Sequence, residues 1–286
     1  MTHALSELLA LLQLERVDED RFLGASQDLG WGAVFGGQVL GQALSAAGQT
    51  VSPDRWVHSV QGYFLQRGDA SRPIDYVVER LREGRSFTTR RVIGLQQGRP
   101  IFHLSAGFQL AEVGFDHQDA MPAAPDPAGL TSERELAKAL ADVLPPRLAE
   151  RAVAERPIEF RPVDPRNPLH PEVRPPHRQI WFRANGRLSD DLHVHQQLLA
   201  WASDSHFLTT AMQPHGASWL TPGLQVASLD HVMWFHRPFR MDEWLLYDIR
   251  SPSAFGARGL VRGTIYDRAG RRVATVMQEG LIRDRR

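Results

Sequence analysis

The chain has 286 residues, of which 42% are hydrophobic and 23% charged, and its 33 basic and 33 acidic side chains leave no net formal charge. That length accommodates two modest domains, and the balanced charge excludes a global field that would draw in nucleic acid or an anionic membrane. The lack of cysteine excludes disulfides, a thiol nucleophile and thiolate metal sites together.

Residues 1–13 are amphipathic and lack the basic start and long apolar core of a secretory signal. No run approaches the roughly 20 apolar residues needed to cross a bilayer, and the closing Arg283-Asp284-Arg285-Arg286 is not a peroxisomal tripeptide. A soluble cytoplasmic protein is expected, with no membrane insertion and no nucleic-acid partner. The first strong element is Phe35-Gly-Gly-Gln38-Val-Leu-Gly41-Gln-Ala-Leu-Ser-Ala-Ala47. A helix this poor in charge is buried, and its glycines let it lie close against a sheet. Strand-like runs follow at Trp56–Phe64, from near Tyr76, from Phe87, and, after a turn at Gly98, at Ile101–Leu110.

Twelve of the 19 prolines fall between Pro122 and Pro176, and residues 116–154 read as a Pro-rich linker. One short helix is predicted inside it, over Ser132–Val143. Ser132 and Glu135 have capping-box spacing, and Pro145-Pro146 is expected to end the run.

Beyond the linker the first pattern returns. Val194, Leu198, Trp201, Ser205 and Leu208 mark one face of a single predicted helix. Leu229-Asp-His231-Val-Met-Trp-Phe235-His-Arg237 matches Trp56–Phe64, and alternating runs start near Trp244 and Phe255. A turn at Gly270 then leads into Val273–Ile282. The offset stays near about 170 residues, which is a duplicated domain rather than a short solenoid repeat. Short turns between strands imply antiparallel neighbours. The expected class is α+β: two tandem units, at 1–115 and 155–286, each a long helix wrapped by a curved antiparallel sheet.

Several stretches carry a resemblance. They are Val34-Phe-Gly-Gly-Gln38, Gly84-Arg-Ser-Phe-Thr-Thr-Arg-Arg91, His177-Arg-Gln-Ile-Trp-Phe-Arg-Ala-Asn185, Gln213-Pro-His-Gly216, Leu229-Asp-His-Val-Met-Trp-Phe-His-Arg-Pro-Phe239, Glu243-Trp-Leu-Leu-Tyr247 and Gln278-Glu-Gly280. Together they resemble the acyl-CoA thioesterase II family of double hot-dog proteins, over nearly the whole chain. The resemblance implies hydrolysis of fatty-acyl-CoA to free acid and coenzyme A, with no cofactor and no metal. It implies a catalytic set of an Asp on the second helix, a Ser or Thr on the following strand and a Gln on the last strand. Asp204, Ser228 and Gln278 stand at those positions, Ser228 where Thr is more usual. Further assembly to a homodimer or homotetramer is expected on the same ground.

The residues can be read beside that resemblance. Counted at about 100° per residue, Asp204 flanks the apolar stripe of its helix while Ser203 points away. Ser228 alternates with Val226, Val232 and Trp234, which puts His231 on the opposite face; Gln278 alternates with Ala274, Val276 and Ile282. Each polar group taken singly reads as a satisfied core residue; three facing one helix suit the activation and aiming of a water at a thioester. Gly36-Gly37 is the candidate source of oxyanion donors, by analogy with other hot-dog enzymes.

Other chemistries find less support. There is no G-x-S-x-G elbow and no His-Glu-x-x-His, and His193 and His195 diverge on a helix. His58, His231 and His236 read as structural or substrate-lining. Arg90, Arg91 and Arg237 fit either coenzyme A phosphates or a solvated face. Two rivals stay open: a hot-dog hydratase or dehydratase, and a non-catalytic acyl-CoA-binding protein. The first needs a paired His and acid, whereas Asp204 and His206 on one helix would point about 200° apart.

Overall fold

A computed structural model describes residues 1–30, 32–143 and 146–285, with the backbone alone described at 146–148 and 151. The chain begins with α1 (His3–Leu12), whose Leu5, Leu8 and Leu12 recur at helical spacing and are buried. The Thr2 hydroxyl accepts the Leu5 N–H and caps its start. Then follow β1 (Glu15–Asp18), β2 (Arg21–Gly24), α2 (Gly36–Gly48), β3 (Arg55–Phe64), β4 (Ile74–Glu83), β5 (Phe87–Gln96) and β6 (Arg99–Leu110). The connecting stretch holds α3 (Glu133–Ala139) and α4 (Pro146–Val153). After it come β7 (Ile158–Pro162), β8 (His177–Ala184), α5 (Leu192–Ser203), α6 (Phe207–Met212), β9 (Leu224–Ser228), β10 (Asp230–Phe235), β11 (Leu245–Phe255), β12 (Arg258–Asp267) and β13 (Arg272–Asp284).

All ladders are antiparallel and join into one sheet of order β1-β2-β4-β5-β6-β3-β10-β13-β12-β11-β8-β7, with β9 added on β13. Reading outward from the centre, β3-β6-β5-β4-β2 and β10-β13-β12-β11-β8 are the same order twice. The two sets meet where β3 pairs β10, Val60 opposite Met233. The α2 helix is buried from Gly37 to Ala47 and packs on β4, β5 and β6 of the first set, and α6 packs on β11, β12 and β13 of the second. This is the expected α+β double hot-dog. A helix without charged residues stands in the middle because α2 meets α5 as well as its own sheet. A Cβ at Gly37 would lie 2.2 Å from the Trp201 carbonyl oxygen, and one at Gly41 3.2 Å from that of Gln197. Only glycine permits that approach.

Three sequence expectations need correction. The second long helix is not continuous to Leu208: α5 ends at Ser203, Asp204 is its C-cap, and His206 takes a left-handed φ of 64° before α6 begins. Ser203 does not point away but is fully buried. Phe255 ends β11 instead of opening the next strand, because Gly256 and Ala257 (φ 59° each) form the two-residue hairpin turn into β12.

In the connecting stretch the Ser132–Glu135 capping box is present. The helix it starts is α only to Ala139 and 3₁₀ over Ala141–Val143. The run ends at Val143, and a separate helix, α4, starts at Pro146; Pro145 itself lies outside the described residues. The preceding residues strap across the second half of the sheet. Trp181 donates to the Pro125 carbonyl (2.8 Å), Arg161 to that of Pro127 (2.8 Å), and the Arg272 N–H to Gln118 Oε1 (2.8 Å). Met121, Ala124 and Leu130 pack there on Trp181, Leu246 and Tyr266. Among the described residues no helix is long and apolar enough to cross a membrane.

Candidate active site

The break after α5 aims Asp204 at the start of α2. Its Oδ2 accepts the backbone N–H of Gly37 at 3.0 Å, one of the first-turn donors that a helix leaves unpaired, and the positive end of the α2 dipole favours the carboxylate there. Gly36 makes the approach possible, since a Cβ on it would lie 2.6 Å from Asp204 Oδ2. Asp204 thus belongs to the second half of the chain and its backbone partner to the first.

From the other carboxylate oxygen a chain of polar contacts runs inward. The Ser228 hydroxyl donates to Asp204 Oδ1 at 3.5 Å, and Gln278 Nε2 donates to Ser228 Oγ at 2.7 Å. Gln278 Oε1 lies 2.6 Å from His231 Nδ1, and His231 Nε2 lies 2.9 Å from Ser203 Oγ. Gln278 and His231 are buried with Ala274 and Val276 beside them on the inner face. An amide in such surroundings costs about 1–3 kcal/mol if left unpaired, so the pairing is tightly held.

The structure therefore brings Asp204, Ser228 and Gln278 together. It also corrects the placement of His231 opposite Ser228. Leu229 interrupts the run between β9 and β10, its N–H going to the Glu279 carbonyl, and the interruption shifts the alternation by one. His231, Met233 and Phe235 consequently form the buried face of β10, and His231 meets Gln278 from the same side as Ser228. Strict period-2 counting cannot see such a shift. Burial pushes the His231 pKa down, opposed by the nearby Asp204 carboxylate, which favours a neutral ring.

Of the candidate oxyanion donors at Gly36-Gly37, the Gly37 N–H is taken by Asp204. Arg90 is buried, bonded to Thr50 and paired with Glu83. Arg91 pairs with Glu79, and Arg237 with Asp116. Those forks are thus occupied within the chain. His195 is structural, with Nε2 on the Ser189 carbonyl (2.9 Å) and Nδ1 accepting the Met241 N–H (2.9 Å). His236 bonds Thr275, and His58 stacks edge-on against Phe87. His206 does not pair with Asp204; its ring packs on Phe160 and lies 3.4 Å from Glu133. Among the described residues no group of three His, Asp or Glu could hold a metal ion. A cleft of about 310 Å³ on the first half, lined by His58, Gln61, Arg82 and Phe87 among others, includes none of Asp204, Ser228 and Gln278.

Comparison with known proteins agrees with this architecture. A family model described as acyl-CoA thioesterase matches residues 148–281, and one described as the acyl-CoA thioesterase N-terminal domain matches residues 26–109. Acyl-CoA thioesterase 2 of Haemophilus influenzae is 45% identical over 283 residues, covering 99% of both chains. The crystal structure of acyl-CoA thioesterase II TesB2 from Mycobacterium marinum is 41% identical with a TM-score of 0.77, covering 97% of this chain and 98% of that one. A hot dog fold protein of unknown function from Alicyclobacillus acidocaldarius, 18% identical and aligned over 99% of both chains with a TM-score of 0.77, is similar in fold alone. The chain belongs to the acyl-CoA thioesterase family, whose members are thioester hydrolases.

Proposed function

We propose that this enzyme hydrolyses fatty-acyl-CoA by direct attack of a water held between Asp204 and Ser228, with Gln278 behind them. The single observation that supports the reading best is the contact chain Gln278–Ser228–Asp204 ending on a carboxylate at the start of α2. The 3.5 Å between Ser228 and Asp204 is the long link, at the outer limit of a hydrogen bond. A water entering there accepts from the Ser228 hydroxyl and donates to Asp204 Oδ1. One of its lone pairs is then left for the thioester carbonyl carbon. As the C–O bond forms, the carbonyl electrons move to oxygen and Asp204 takes the proton. Collapse expels the thiolate, which recovers that proton as coenzyme A thiol. The products are the free acid and the thiol.

Ser228 is a poor candidate for a covalent nucleophile. Its hydroxyl faces a carboxylate and an amide, and the nearest histidine, His231, reaches it only through Gln278; a serine nucleophile needs an adjacent base. A hydratase reading loses the Asp204–His206 pair, since His206 faces Glu133 instead. A non-catalytic binder would have no use for a carboxylate aligned with two water-orienting groups. The expected homodimer or homotetramer is part of the same proposal and is checked by sedimentation.

The test is thiol release from acyl-CoAs of increasing chain length, after dialysis against a chelator, followed by rapid mixing. Steady turnover with no burst of thiol and no acylated protein by mass spectrometry is expected. Ser228→Thr should keep most of the activity and Ser228→Ala lose part of it. An adduct of one acyl mass on the peptide bearing Ser228 would overturn direct attack, and turnover restored only by added zinc would overturn the metal-free chemistry.

A further inference from the structure

We infer that His231 is a positioning residue that fixes the sense of the Gln278 amide and, through it, the direction in which the Ser228 hydroxyl points. The inference deepens the proposed function and rests on it. Gln278 has two chemically different ends and both are engaged. Oε1 lies 2.6 Å from His231 Nδ1, and Nε2 lies 2.7 Å from Ser228 Oγ. An amide oxygen only accepts, so His231 Nδ1 must carry the proton in this arrangement. The opposite ring nitrogen then accepts from the Ser203 hydroxyl at 2.9 Å.

Every donor in the chain now points the same way. His231 Nδ1–H donates to Gln278, and Gln278 N–H to Ser228. The Ser228 hydroxyl, with its oxygen already accepting, turns its own proton outward toward Asp204 or toward the water beside it. Were the amide turned over, Gln278 oxygen would accept the Ser228 proton and Nε2–H of the ring would face Ser203. Ser203 could then give its proton to the Ala200 carbonyl, 2.9 Å away. Both senses satisfy the buried groups, so the amide takes the one that the His231 tautomer sets. Only the observed one leaves a hydroxyl proton to hold the water oxygen while that water gives its own proton to Asp204.

The ring is built into place for this. His231 and Ser203 are each fully buried. Phe207 packs against the imidazole at 6.1 Å and stacks on Tyr247 at 5.6 Å, while the Tyr247 hydroxyl donates to the Ser203 carbonyl at 3.0 Å. Burial also lowers the His231 pKa, which keeps one ring nitrogen free to accept. A buried network with every member paired holds the ring and the amide plane in place.

Two measurements decide the matter. In the ¹⁵N-labelled wild-type enzyme, the ring-nitrogen shifts of His231 should report the Nδ1–H tautomer; an Nε2–H ring would overturn the inference whatever the variants do. His231→Leu should lower kcat by about 10–100-fold with KM nearly unchanged, whereas His231→Asn, which retains a donor near the Nδ1 position, should recover most of the loss. In a Gln278→Ala background, His231→Leu should add nothing further. A folded His231→Leu enzyme with wild-type kcat, or losses that multiply across the two sites, would overturn the inference alone. Unchanged kcat in Gln278→Ala would instead overturn the reading of the site and this inference with it.

Discussion

Gly37, at the start of the helix of the first hot-dog unit, donates its backbone N–H to the carboxylate of Asp204 in the second unit at 3.0 Å. The proposed site is therefore divided between the two copies of the duplication. Its acid comes from one, and the helix end that holds this acid comes from the other. The neighbouring glycines separate stability from positioning. In Gly37→Ala the new methyl would sit 2.2 Å from the Trp201 carbonyl oxygen, a backbone atom that cannot move aside, and overpacking of this kind costs about 1–3 kcal/mol. In Gly36→Ala the methyl meets the movable Asp204 carboxylate at 2.6 Å. Thermal melts should show a lowered midpoint for Gly37→Ala. Gly36→Ala should melt nearly as wild type but lose on the order of 10–100-fold in kcat. Gly48→Ala, with nothing within 4 Å of the new methyl, serves as the neutral control.

The divided site bears on the halves as separate polypeptides. The proposed second unit, residues 155–286, contains Asp204, Ser228 and Gln278 but neither Gly37 nor β3, the strand that pairs β10. Expressed alone, it should be insoluble or inactive, with unpaired β10 edge groups open to association. Co-expression with residues 1–154 should restore thiol release. A soluble and fully active fragment would show that the first unit is dispensable.

His206 gives the fold a pH dependence of known sign. Burial holds its pKa down at about 4, with Glu133 opposing, from an ordinary 6.5. Unfolded chains then take up the proton first as pH falls through 6.5, and the folded state does so only near 4. Stability should therefore decline across that window, by up to about 3 kcal/mol from this group, and be unaffected by it above neutrality. The midpoint of thermal unfolding should fall from pH 7 to pH 4.5, and His206→Asn, which tolerates the left-handed backbone, should fall less. Equal slopes in the two proteins would remove His206 from the explanation.

Much of this molecule was legible in its sequence because it repeats. The charge-free helix at Phe35–Ala47, the paired strand motifs and the apolar alternation around Gln278 each follow from local periodicity, and the second copy confirms the first. Two features beside the proposed site were not legible, and both arise from single-residue events. Leu229 breaks the strand and reverses the alternation, which carries His231 to the side of Ser228. The helix ends at Asp204 ahead of the left-handed His206, and Ser203 is inward because α5 is buried on almost every side. Both events are chosen by contacts across the fold, the Leu229 N–H on Glu279 and the Asp204 carboxylate on Gly37. A window of neighbouring residues contains neither partner. The same holds for the bond from Arg90 to Thr50, 40 residues away.

The most direct measurement is steady-state thiol release by Asp204→Asn. Asparagine keeps the shape and can still lie against the Gly37 N–H, but it cannot take a proton from water. For a folded variant with an unchanged melting profile, kcat should fall by about 10²–10⁴-fold, with KM little altered because the substrate contacts persist. A variant that folds as wild type and turns over acyl-CoA at the wild-type rate would contradict the assignment of Asp204 as the base.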